Sequence, residues 1–338
     1  MNKLYTFLVV VLATLSSTAQ IVNIPDANFK AKLLSASTSN TVASSVTPLY
    51  GNSSDMTVSS YNKIDTNNDG EIQVSEAQNI KWLKVTGSNI TSLIGIEAFS
   101  NLQYLDCHYN QLTTINISQN TNLLFLNCIQ NQLAELNVSQ NIDLTILFCF
   151  QNQLTGLDVT QATNLKELHC YSNLLSTLNI SENPNLTHLL CYENLLTSID
   201  VTFNTSLQHL VCNTNQLTSL DVTQNTALTY LNCGQNLLTT LDVTQNTSLF
   251  QIVCRENQLT ALNVSQNTHL NWLWCNQNLL TTLDVSQFPN IYELKCNNNQ
   301  LSTLNVTQKD TDLYFTKQAD ELINNPNVGK TAVAYQSK

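Results

Sequence analysis

The sequence predicts a solenoid of stacked coils, with a parallel β-sheet along one wall, a mostly irregular opposite wall with short strands, and a small N-terminal helical cap. Two observations carry this expectation. The ten cysteines of the 338-residue chain (Cys107, Cys128, Cys149, Cys170, Cys191, Cys212, Cys233, Cys254, Cys275 and Cys296) are each 21 residues from the next, and self-similarity at a fixed period marks repeat architectures. Only 7 Gly and 5 Pro accompany a 42% hydrophobic fraction, which is too apolar for a disordered chain.

Aligned on the cysteines, the chain reads LxxLxCxxNxLTxLDVTQNTx from Leu102 to about Asp310, giving ten repeats over residues 101–310. Side chains alternate faces along a strand, so Leu105 and Cys107 point inward while Tyr104, Asp106 and His108 point outward. Leu112, Ile115 and Ile117 return to the core from the other wall. These few apolar groups cannot offset the ordering of a whole coil, so each coil must stack on a neighbour. Residues 80–100 form a degenerate capping coil, with Val85 in the cysteine slot and Ser88 in place of asparagine.

The run LxxLxCxxNxL is similar to the strand-and-turn signature of leucine-rich repeats, with Cys where Leu is usual, and the likeness covers about 210 residues. LIGIEAFSNL, beginning at Leu93, resembles the first-repeat junction of internalin-type bacterial proteins. The resemblance implies a leucine-rich-repeat solenoid whose sheet lines a concave, partner-binding face.

The ends differ from the repeats. Residues 1–19 place Lys3 before an apolar run from Phe7 to Leu15, then Ser17 and Ala19, which reads as a secretory signal cut before Gln20. Residues 20–79 form the N-terminal cap, beginning with a short helix that has Asp26 as N-cap and Phe29 and Leu33 on one face. Residues 311–338 form a C-terminal cap or tail, with TKQADELINNP as a closing helix. The mature chain is expected to be a monomer, secreted or at the cell surface, with no transmembrane segment. A net charge of −11 and a single arginine, Arg255, exclude the basic stripe that nucleic acid requires.

Residues 65–76, DTNNDGEIQVSE, fit the twelve-position EF-hand loop D-x-[DN]-x-[DN]-G-x5-E. A single structural Ca2+ would draw ligands from Asp65, Asn67, Asp69, the Glu71 carbonyl, Gln73 and bidentate Glu76, with Gly70 allowing the sharp turn. A metal-free Asp/Asn turn is the alternative. The cysteines admit buried free thiols, disulfides or a metal column. The asparagine column from Asn110 to Asn299 reads as a buried hydrogen-bonded ladder.

Function is expected where the repeats vary, and the outward strand positions vary most. All three tryptophans and four of the five histidines fall on that face. The expected partner-binding residues are Trp82, Tyr104, Phe125, Ile129, Ile146, Phe148, Phe150, Tyr171, His188, Tyr192, His209, Tyr230, Trp272 and Trp274. Phe125, Ile129, Ile146, Phe148 and Phe150 form a contiguous apolar patch of the sort that soluble monomers rarely leave uncovered, although aromatic and branched residues also simply suit strands. Trp272 and Trp274 offer parallel rings beside Tyr230, suited to a glycan or a protein hot spot. His169, His188 and His209 lie close enough to share a metal. Catalysis is not expected, since acids are scattered, and Glu167 near His169 and His188 is the best candidate for it. A purely structural spacer is the remaining reading.

Overall fold

The computed structural model describes residues 20–50, 56–288, 291–306 and 333–335. The signal sequence expected at 1–19 and the closing helix expected at 316–326 lie outside them. Eleven strands of three residues form the concave wall: β4 (Trp82–Lys84), β5 (Tyr104–Asp106), β6 (Phe125–Asn127), β7 (Ile146–Phe148), β8 (Glu167–His169), β9 (His188–Leu190), β10 (His209–Val211), β11 (Tyr230–Asn232), β12 (Gln251–Val253), β13 (Trp272–Trp274) and β15 (Glu293–Lys295). Neighbours pair in parallel with a constant 21-residue offset, for example Leu105 with Leu126 and Leu168 with Leu189. The chain has the leucine-rich-repeat fold. On the opposite wall, β14 (Thr282–Val285) pairs in parallel with β16 (Thr303–Val306), which pairs with β17 (Val333–Tyr335).

Each coil leaves its strand through the same turn. The residue before each asparagine, from Tyr109 to Asn298, has a left-handed φ between 49° and 56°, a conformation that costs energy for any residue with a β-carbon. The asparagine holds that turn. Asn173 donates from Nδ2 to the carbonyls of Cys149 (3.1 Å) and Cys170 (3.0 Å), while its Oδ1 accepts from Leu154 N (3.0 Å). One amide therefore ties a coil to itself and to the coil before.

A second buried asparagine ladder was not foreseen, because the TQNT motif reads as lateral surface. Asn120, Asn141, Asn183, Asn204, Asn225, Asn246 and Asn267 are fully buried. Asn204 Nδ2 donates to the carbonyls of Ile180 and Asn183, both at 2.9 Å. The ladder satisfies carbonyls on the wall that lacks strands over most of its length.

All ten cysteines are buried and free, in the slot where Val85 is also fully buried. Burial alone pushes Cys296 up to about 12, and it is the largest cause of the same shift at Cys128, Cys170 and Cys233. They pack as small apolar groups with the leucines of the core.

The cap begins with α1 (Ala27–Leu34). Asp26 accepts from Phe29 N at 2.8 Å as N-cap, and its other oxygen accepts from Thr91 N, Thr91 Oγ1 and Ser92 N, so one carboxylate starts the helix and clamps it to the first coil. Phe29 and Leu33 are fully buried, as the sequence implied. Next come β1 (Ala43–Ser44), β2 (Leu49–Tyr50) and β3 (Met56–Thr57). β1 lies antiparallel to β4 and closes the edge of the twelve-stranded sheet, where an open strand would invite pairing with other chains.

Thiol chemistry tests the ladder. In the native chain, Ellman's reagent at pH 8 is expected to find no reactive cysteine within minutes, and in guanidinium all ten should react. Native thiols that titrate promptly would contradict the packing.

Candidate functional site

The concave columns divide into three stretches. In the first, Trp82 stacks on Tyr104 (ring centroids 3.5 Å, 7° between planes) and Tyr104 on Phe125 (4.3 Å, 6°). The sequence placed these rings and Ile146 on an open partner-binding patch, and the structure corrects that. Trp82, Tyr104, Phe125 and Ile146 are buried in one cluster with Met56, and Val58 and Tyr61 pack against it. The indole of Trp82 donates to Thr41 O at 3.2 Å. The N-terminal segment crosses the face and covers its first coils, so the chain itself occupies this part of the apolar patch. Nearby, Asp106 is nearly inaccessible, with Lys84 Nζ at 3.6 Å and His108 Nδ1 at 2.5 Å.

The second stretch is half-exposed. Phe150 stacks on Tyr171 (4.0 Å, 15°) and Tyr171 on Tyr192 (4.2 Å, 11°). Beside them Phe148 stacks on His169 (4.4 Å, 19°), followed by Leu190 and Val211 on the next strands. In the third row His188 stacks on His209 (4.5 Å, 15°) and His209 faces Tyr230 (5.8 Å, 13°). With Ile129 these side chains form a continuous surface over six coils. The only formally charged residue in the concave columns of β8 to β11 is Glu167, which is buried.

The three histidines are brought together in adjacent strands but not as a metal site, because their rings stack and do not converge. Among the described residues no group of three or more His, Cys, Asp or Glu side chains is placed to hold a metal ion. Burial pushes His169 down to about 4, with the charge on His188 adding to the effect. His188 and His209 are also lowered by burial, and His209 further by His188.

In the third stretch Trp272 and Trp274 have different partners. Trp272 meets Phe250 edge to face (4.7 Å, 74°) and Tyr292 likewise (5.5 Å, 61°). Trp274 lies under Lys295 Nζ (3.7 Å to the ring centre) and donates from Nε1 to Glu293 Oε2 (3.0 Å). Tyr230 belongs to the histidine row. Phe250 and Tyr292, both well exposed, were missed. They occupy the position just before the strand, which is polar in most coils and Leu124 in one, and that contrast was the available signal.

The expected calcium loop is a closed network. Asp65 accepts from Asn68 N (2.7 Å) and Gly70 N (3.3 Å), and Asp69 Oδ2 accepts from Asn67 Nδ2 (2.8 Å) and Gln73 Nε2 (2.7 Å). Glu76 Oε1 accepts from Thr66 N and Oγ1, both at 2.7 Å, and Oε2 from Gln73 N at 3.1 Å, in a capping box that starts α2 (Val74–Gln78). The Glu71 side chain pairs with Lys30 of α1 at 2.6 Å. Ile72 is fully buried, and Val22 N donates to its carbonyl at 2.8 Å, so residues 20–22 pair with the lone loop.

No family profile matches the chain, and no curated protein does. Solved structures do. The functional domain of InlJ from Listeria monocytogenes, which includes a cysteine ladder, is 32% identical, with a TM-score of 0.52 over 69% of this chain and 66% of that one, just under two thirds of its length. A leucine-rich-repeat protein of Leptospira interrogans is 27% identical over 70% of this chain and 73% of that one, with a TM-score of 0.55. The internalin InlF of Listeria monocytogenes matches in fold over 96% of this chain and all of that one, at 21% identity and a TM-score of 0.64.

The depressed histidine sets a pH dependence. An unfolded histidine titrates near ~6.5, whereas His169 in the fold titrates at about 4. The folded chain thus binds this proton less readily than the unfolded one. The stability supplied by neutral His169 is whole above about pH 6.5 and is lost as pH falls towards 4. Thermal midpoints across this range should fall less steeply for His169→Leu than for wild type; identical slopes would contradict the assignment.

Proposed function

We propose that this internalin-like leucine-rich-repeat chain is secreted and binds a protein partner through the exposed middle of its concave sheet. One observation carries the reading: a continuous, nearly uncharged aromatic and aliphatic surface from Ile129 to Tyr230, on coils whose structural columns hardly vary. Solvent gives no reason to gather Phe148, Phe150, Tyr171, Leu190 and Tyr192 there, and rigid stacked rings lose little conformational freedom when a partner covers them. The signal-like segment at 1–19 supports export. No helix among the described residues is long and apolar enough to cross a membrane.

A second reading is favoured by the Phe250–Trp272–Tyr292 cluster, three exposed or half-exposed rings bordered by Asn271, Glu293 and Lys295. Such a mix of ring faces and hydrogen-bonding groups suits a glycan. One experiment separates the two. Against arrays of purified extracellular proteins and of oligosaccharides at pH 7.5, Phe150→Ser with Tyr192→Ser should weaken protein capture at least about tenfold and spare glycan capture. Trp272→Ala should do the reverse if a sugar is bound. Protein capture unaffected by the Phe150/Tyr192 pair would refute the concave-face reading.

A structural Ca2+ at residues 65–76 is proposed on the twelve-position donor pattern and on the burial of Asp65, Gln73 and Glu76. Asp65, Asn67, Asp69, the Glu71 carbonyl, Gln73 and Glu76 would hold it, replacing the amide nitrogens that now meet Asp69. Its contribution would be to rigidify the cap. Millimolar Ca2+ should raise the thermal midpoint and chelator should lower it, while Glu76→Gln should abolish the difference. A midpoint indifferent to both would remove calcium from the account.

A further inference from the structure

We propose that His188 makes the middle of the concave face a proton-controlled docking surface, uncharged and stacked at neutral pH, and positively charged with its stack opened on acidification. The inference rests on the docking reading above.

The geometry concentrates three imidazoles where the surface is otherwise uncharged. His188 and His209 lie face to face on β9 and β10, with centroids 4.5 Å apart and planes 15° from parallel. His169 sits on β8, in the next column and one strand away. Neutral rings stack favourably, but two imidazolium ions at this spacing repel. Protonation of the pair therefore works against the stack that shapes the surface.

The groups around His188 set the order of events. In its own row stand Glu167 on β8 and, beyond His209, Tyr230 on β11. Thr187 Oγ1 lies 3.0 Å from His188 Nδ1. Lys166 adjoins Glu167 in the chain and is exposed, and Glu193 after β9 accepts from Ser172 Oγ. Tyr171 and Tyr192 fill the third column. His188 stacks on His209 and lies one strand from His169, and its charge lowers both of them, so His188 is the ring that takes the first proton. That charge then opposes protonation of both His209 and His169, and burial lowers all three.

A partner lying on this surface removes its remaining water, which further favours the neutral rings. Protons and partner then compete for the same face, and by linkage acidification weakens docking.

Histidine-ring NMR titration of the full chain tests the switch without any partner. His188 and His209 are expected to titrate below ~6.5. In both His188→Gln and His188→Phe, the second of which keeps a ring in the stack, the midpoints of His209 and His169 should rise by about half a unit or more as the neighbouring charge is removed. Wild-type midpoints at or above 6.5, or midpoints unmoved in the variants, would overturn the proposal. In a binding arm, any array protein captured at pH 7.5 should bind wild type at least about tenfold more weakly at pH 5 and the His188→Phe/His209→Phe chain about equally at both. Retention by wild type at pH 5 would also overturn it. Absence of capture at pH 7.5 would refute the docking reading instead, with the ring titrations still deciding the switch.

Discussion

Each of the ten repeats depends on one interaction: the asparagine amide that secures a left-handed turn by bonding to two coils at once. The turn is unfavourable for Tyr, Gln, Ser, Glu or Thr, and each of these residues adopts it. It persists because Asn131, for example, donates to the carbonyls of Cys107 and Cys128 and accepts from Leu112 N. Remove the preceding coil and two of those three partners vanish. On the far wall Asn141 likewise reaches the preceding coil, donating to the carbonyls of Ile117 and Asn120. Stability is therefore shared between neighbours, as expected of a quasi-one-dimensional fold.

This constraint divides the chain's residues by task. The leucine, cysteine and asparagine columns face inward or hold turns, so exchange at any coil would disturb two. Outward strand positions carry no such duty and can carry recognition. The cysteine column follows from size: a small apolar group is wanted there, as Val85 shows, and complete burial keeps the thiols protonated and unreactive.

The concave face is continuous in backbone but not in surface. From Trp82 to Ile146 its rings serve the fold, sealed beneath Met56 with Val58 and Tyr61 against them. Beyond that cover, the same kind of residue is left half-exposed. Chemistry alone does not separate Phe125 from Phe148; position relative to the N-terminal segment does.

The sequence by itself determined the coil length, the parallel sheet, the face of each side chain, the Asp26 cap and the role of the Asn110–Asn299 column. All follow from local periodicity repeated many times. The constancy of the TQNT motif was legible in the sequence but its buried ladder was not, since polarity without a partner in view suggests solvent. Only the tertiary structure decided which outward residues are free, how the Trp272 and His188 rings are turned, and how residues 65–76 satisfy their own carboxylates. These depend on contacts between an aperiodic segment and distant coils, or on rotamers chosen by neighbours, and neither leaves a period in the chain.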